Sequence, residues 1–144
     1  MTLRPIKTED ALACAAILRE WIDGTPWFPS LHPPSADQGF LERRIAAGGG
    51  AVAETDQILG FITWEDQYVS CLYVRAAARG AGVGAALLSA AKAASDTLRL
   101  WTFVANEGAQ RFYLREGFRE LQRTDGQDNE ERMPDIEFGW ERGA

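Results

Sequence analysis

Metal-ligating side chains are scarce in this chain, which has two cysteines, Cys14 and Cys71, and one histidine, His32. No C-x-x-C pair occurs, and the two cysteines fall far apart, one in a helical and one in a strand pattern. That excludes a zinc site and makes both thiols small apolar fillers of a core. Basic charge is also short: 15 lysines and arginines against 21 acids give a net charge of −6 and a pI near 4.8. A nucleic-acid surface needs a basic patch that displaces counterions, so that class of partner drops out. Long apolar runs are missing too. The stretch ALACAAIL at 11–18 has Glu9 and Asp10 before it and Arg19 and Glu20 after it, the wrong flanks for a secretory signal. No run is long enough to cross a bilayer. A cytoplasmic protein with no membrane partner is expected.

What is present fits one globular domain over residues 1–144, with 46% hydrophobic and 25% charged residues. A chain of this length buries a core without disulfides or metals. Residues 2–6 read as an edge strand whose pairing Pro5 limits. Thr8 is placed to cap a helix reaching about Ile22, with Glu9 and Asp10 in its first turn and Gly24 as its stop. The loop 25–37 holds four of the six prolines together with Trp27 and Phe28, so it presents two large rings at low entropic cost. A second helix spans 36–47. The period then changes to two: GAVAET, ILGFITW and YVSCLYV form an antiparallel meander. An alanine-rich helix, the strand TLRLWTFV at 97–104, a helix at 106–117 closed by Gly117, and the strands FRELQR and PDIEFGW complete the order.

The segment RGAGVG at 79–84 opens the alanine-rich helix. A glycine turn at a helix start leaves backbone N–H groups unpaired with the positive end of the helix dipole behind them, which is a site for an anion. Dinucleotides, nucleoside triphosphates and coenzyme A all use such turns. The dinucleotide fingerprint needs its first glycine at the end of a strand in a parallel βαβ unit. Here Arg75 to Arg79 intervene and the preceding strands form a meander, which disfavours that ligand. A P-loop needs a lysine directly after its last glycine, and none follows Gly84 until Lys92.

LYVRAAARGAGVG resembles the first signature of the GNAT superfamily of N-acetyltransferases, a strand followed by [RQ]-x-x-G-x-[GA], with Arg79, Gly82 and Gly84 in the defined positions. The pattern N-x-x-A-x-x-x-Y-x-x-x-G-F resembles the second, at Asn106, Ala109, Tyr113, Gly117 and Phe118. The two cover about residues 69–118. The resemblance implies an α/β (α+β) fold, with a mixed central sheet of about seven strands that is largely antiparallel, has one splayed parallel pair and is flanked by about four helices. It implies acetyl-CoA as cosubstrate. Backbone N–H groups of Arg79, Gly80, Ala81, Gly82, Val83 and Gly84 would wrap its pyrophosphate. The strand of Leu72, Tyr73 and Val74 would part from the next to admit the pantetheine arm, and Asn106, Ala109 and Phe112 would complete the cofactor wall. Ala76 to Ala78 replace the polar approach common before the glycine turn.

The resemblance further implies direct attack of an amine with no acyl-enzyme, so neither Cys14 nor Cys71 is needed. Tyr113 would supply a proton or hydrogen bond to the departing thiolate. For the base, Glu65 is the named candidate, with Asp66, Glu54 and a water chain also open. The substrate, a small-molecule or peptide amine, would lie between Trp27, Phe28 and His32 on one side and Asp128, Glu130 and Glu131 on the other. An aromatic wall facing acids suits a cation, and equally these acids fit an ordinary solvated loop, as His32 fits a structural or surface residue. A homodimer is compatible with the family. The rival is a non-catalytic acyl-CoA-binding sensor or interaction module on the same fold, for which five tryptophans could furnish a partner surface.

Overall fold

Arg4 ties the first strand to the turn that opens the first helix. In the computed structural model, which describes residues 1–143, β1 (Thr2–Pro5) is followed by a 3₁₀ turn at Thr8–Asp10 and then by α1 (Ala11–Asp23). Thr8 makes no cap. Asp10, at the start of α1, makes no side-chain cap either; its carboxylate reaches back, accepting from the Lys7 N–H at 2.8 Å and from Arg4 at 2.8 and 2.9 Å. These charge-assisted bonds fasten Thr8–Asp10 as a 3₁₀ turn, with Thr8 inside it and the regular helix starting at Ala11. Arg4 also holds Glu54 at 2.8 Å.

The remaining elements are α2 (Asp37–Ala47), β2 (Gly49–Glu54), β3 (Ile58–Glu65), β4 (Tyr68–Val74), α3 (Val83–Ala94), β5 (Thr97–Phe103), α4 (Glu107–Arg115), β6 (Arg119–Thr124) and β7 (Asp135–Glu141). They build one seven-stranded sheet in the order β1-β2-β3-β4-β5-β7-β6. Every neighbouring pair is antiparallel except β4 and β5. The expected mixed sheet with four helices is therefore what forms.

Alternation along the strands divides the core into two layers. Leu98, Leu100, Ile136 and Phe138 join Val83, Leu87, Leu88 and Tyr113 of α3 and α4 on one face. Val52, Phe61 and Cys71 join Cys14, Ile17, Leu41 and Ile45 of α1 and α2 on the other. Both cysteines are buried and unpaired. Among the described residues no helix is long and apolar enough to cross a membrane.

One irregularity positions the site. On β4, Val69 faces Trp64 and Cys71 faces Thr63, leaving Ser70 without an opposite number on β3. An extra residue of this kind bends its strand and increases local twist. The Ser70 and Thr63 hydroxyls lie 2.7 Å apart and brace the bulge. Its consequence is a change of face: Val69 packs in the α3 layer, as do Leu72 and Val74, whereas Cys71 and Tyr73 pack in the α1 layer.

Candidate active site in the β4–β5 cleft

Beyond the bulge, β4 and β5 diverge. Their only register pair among the described residues is Tyr68 with Arg99, supported by the Arg99 N–H on the Gln67 carbonyl at 2.9 Å. The strands open into a cleft of about 870 Å³. The Arg75 N–H donates to Leu59 of β3 at 2.7 Å. In an antiparallel ladder successive residues point to alternate sides, so the Leu72 and Val74 backbone groups face away from β3 and into the gap. The Val74 carbonyl accepts from Arg79 Nε at 3.2 Å.

The glycine turn closes one side. Gly80 and Gly82 have φ of +79° and +82°, a region that L side chains enter only at a cost. Nothing lies within 4 Å of where a Cβ would stand on either, so space is left in front of the turn. Gly82 is the N-cap of α3 and no side chain caps the helix, which leaves its first N–H groups and the dipole for an anion. Gly84 plays a different part: a Cβ there would stand 3.4 Å from Phe112 Cζ, where α3 meets α4. Val83 is buried beneath the turn, whereas Ala81 is exposed and does not line the cleft. Ala76–Ala78 form a 3₁₀ turn whose first N–H donates to Glu20 of α1 at 2.7 Å. Glu20 thus braces the approach to the turn, a contact 56 residues apart that no motif announces.

From α4, Asn106 Oδ1 accepts from the Ala109 N–H at 3.1 Å and caps the helix; Asn106, Ala109 and Phe112 line the cleft. Tyr113 is 9% exposed and packs on Phe112, Phe118 and Phe138 at centroid distances of 5.1, 5.5 and 6.0 Å. Its hydroxyl makes no hydrogen bond to protein among the described residues and its side chain lines the cleft. Burial pushes its pKa above the ordinary phenol value, so it stays protonated at neutral pH.

The far mouth is aromatic. Trp21 meets Trp27, Phe28 and Tyr73 at 5.9, 5.0 and 5.4 Å, and Phe103 meets Trp27 and Phe28 at 6.0 and 5.7 Å. Tyr73, expected in the cofactor wall, turns its ring to this α1 side. Arg19 pins the loop 25–36: it holds Asp37 at 2.8 and 2.9 Å, Ser30 Oγ at 2.9 Å and the His32 carbonyl at 3.3 Å. His32 Nε2 reaches Glu130 Oε1, joining this loop to the 125–134 loop across the mouth. Asn129 stiffens that second loop through two bonds to Met133, at 2.7 and 3.1 Å.

Glu65 is not brought to the cleft. It ends β3 opposite Tyr68, where β4 and β5 are still joined, and its nearest cation is Arg44 at 3.8 Å. The cleft is lined by β4 from Val69 to Val74 and widens toward the Val74 end, and Glu65 is not among the residues that line it. Asp66 shares that turn, and Glu54 is held by Arg4, so none of the three carboxylates lines the cleft.

The model of the Acetyltransferase (GNAT) domain family matches residues 47–120, which run from the end of α2 to the start of β6. Comparison with curated proteins gives no match. Among solved structures the chain is similar to YjaB from Escherichia coli in its apo form, at 25% identity over 96% of each chain with a TM-score of 0.77. It is similar in fold to a GCN5-related N-acetyltransferase from Rhodopseudomonas palustris, at 23% identity over 97% of this chain and 94% of that one, TM-score 0.79. The same holds for yncA from Salmonella typhimurium, whose structure contains its cofactor acetyl-CoA, at 20% identity over 98% and 93%, TM-score 0.74. Both signature segments, and the parted strands that they flank, lie inside the matched 74 of 144 residues, and this chain belongs to the GNAT acetyltransferase family.

Proposed function

We propose that this protein transfers the acetyl group of acetyl-CoA to an amine by direct attack, both substrates being bound together. One observation carries the reading. The parted strands offer a backbone edge that β5 does not pair, at Leu72 and at the Val74 N–H, and the same cleft is lined by an uncapped helix N-terminus and by Tyr113, whose protonated hydroxyl has no protein partner among the described residues.

The residues present fit the cofactor. The open space before Gly80 and Gly82 and the free N–H groups of the first turn of α3 suit a pyrophosphate. The Leu72 and Val74 backbone groups suit an extended amide-bearing arm that adds to the sheet edge. Acetyl-CoA bound there supplies an acetyl thioester. An N–H of this edge polarises the thioester carbonyl as an oxyanion-hole donor does. Tyr113 Oη donates a hydrogen bond to the sulfur as it departs. Direct attack accords with the thiols: burial pushes Cys14 up to about 12 and raises Cys71 as well, so neither is a thiolate nucleophile near neutral pH. The yncA structure with acetyl-CoA, a similar fold, supports the choice of cofactor. A pure binding module has no use for a protonated hydroxyl at the sulfur, which favours the enzyme over a sensor.

Release of free thiol from acetyl-CoA in the presence of a panel of amines tests the reading. Turnover that falls in Tyr113→Phe supports it; binding of acetyl-CoA with no thiol release from any amine contradicts it.

A further inference from the structure

Acetyl transfer to an ammonium leaves a proton without an acceptor in this cleft. The ionisable side chains that line it are Cys71, Tyr73, Arg79, Tyr113 and Arg115, and among the described residues no carboxylate or imidazole does so. Burial raises the pKa of Cys71, Tyr73 and Tyr113, so all three are already protonated, and the two guanidiniums are permanent cations. The charged groups around the mouth lie outside the lining and pair with one another or with neighbouring side chains. His32 meets Glu130, Thr124 donates to Asp135, and Gln122 at 2.9 Å and Arg99 at 3.7 Å hold Glu137. Asp128 is exposed, and Glu131, half-buried in the 125–134 loop, lies outside the lining but near enough to Tyr73 for its charge to help raise that phenol. On the acceptor side the walls are aromatic: Trp21, Tyr73 and Phe103 line the cleft, with Trp27 and Phe28 packed behind them.

We infer that the acceptor is a weakly basic amine on an apolar or aromatic skeleton, of the kind found in the α-amino group of a hydrophobic residue, and that this site works without a side-chain base. The inference rests on the acetyl-transfer reading. It follows because the walls accept an uncharged, apolar partner and no lining group can take a proton from a charged one. The acceptor sheds its ammonium proton to water at the rim and enters neutral. Its lone pair forms the C–N bond to the acetyl carbon as the C–S bond breaks. The proton that nitrogen then loses goes to the departing sulfur beside the Tyr113 hydroxyl, so amine and thioester become amide and thiol with no net proton change. An α-amine with a pKa near 8 is about one-tenth neutral at pH 7, and a lysine-type amine near 10.4 only about one part in 2,500, a ratio of roughly 200.

The test compares phenylalanine amide, glycine amide and Nα-acetyl-lysine amide as acceptors from pH 6 to 9.5, reading thiol release, with acetyl-CoA stabilisation measured in parallel by thermal unfolding. Phenylalanine amide is expected to exceed the lysine derivative by about 100-fold or more in kcat/KM at pH 7 and to exceed glycine amide by roughly tenfold or more. Its profile should follow its own ionisation and level off above about pH 8. Comparable use of the lysine derivative at pH 7, a hundredfold loss in Glu131→Gln, or acetyl-CoA stabilisation with no turnover of either α-amine overturns the inference. Absence of acetyl-CoA stabilisation removes the reading of the cleft itself, and the inference with it.

Discussion

Tyr68 and Arg99 are the one paired position at which β4 and β5 meet, and from there to Val74 and Phe103 the two strands are parted. The Ser70 bulge lies immediately beyond that pair, so a single extra residue in β4 coincides with the start of the cleft. Four consequences can be measured.

Gly82 holds φ at +82° with nothing near its missing Cβ. Gly82→Ala therefore meets no steric clash and costs roughly 1 kcal/mol of backbone strain, lowering the unfolding midpoint of the unliganded protein by about 4 °C. The methyl group points into the space before the turn, so the stabilisation given by acetyl-CoA should shrink or vanish while the protein stays folded. Thermal scans with and without the ligand separate the two effects.

Tyr113 packs its ring against three phenylalanines, and its hydroxyl has no protein partner among the described residues. In Tyr113→Phe the unfolding midpoint should hold, while kcat falls by roughly 10- to 1000-fold, the range expected for loss of a general acid. A large drop in stability would make the hydroxyl structural.

Arg19 fastens the mouth. It forms a two-pronged pair with Asp37, and their side chains are 15% and 8% exposed. Arg19→Ala leaves the Asp37 carboxylate unpaired in a mostly buried place and should cost about 3 kcal/mol. It also frees Ser30 and the His32 carbonyl, so the acceptor KM should rise more than the acetyl-CoA KM. Denaturant unfolding and steady-state kinetics read these two outcomes.

Acid stability should turn on Asp10. Hydrogen bonds from Arg4, and secondarily from the Lys7 N–H, hold its carboxyl below the ordinary value against the opposing effect of burial. A carboxyl depressed in the folded state stabilises the protein above its unfolded value, about 3.9, and that contribution is lost as pH falls through the folded value. Unfolding free energy should thus decline below about pH 4, and Asp10→Asn should be less stable at pH 7 with a flatter acid limb.

The parts of the site that were legible in the sequence are those where a local backbone demand fixes the residue. A positive φ and an open approach require glycine at 80 and 82. What the sequence did not disclose depends on pairings between distant segments. The Ser70 bulge exists only relative to Thr63 and Trp64 on β3, and Glu20 meets the Ala76 N–H only once α1 lies along the sheet. Glu65 is near β4 in sequence, but strand direction puts it opposite Tyr68, where β4 and β5 are still joined. Thr8 lies inside a 3₁₀ turn rather than at a helix cap, and Arg4, from another element, fastens that turn at Asp10.

The most direct test of the account is thermal unfolding with acetyl-CoA, NAD and ATP in separate samples at matched excess. Ligand at about 100 times its Kd contributes about 2.7 kcal/mol, which for a chain of this size raises the midpoint by roughly 5–10 °C. The account predicts that rise with acetyl-CoA and none with NAD or ATP. No rise with acetyl-CoA, or an equal rise with either nucleotide, would contradict it.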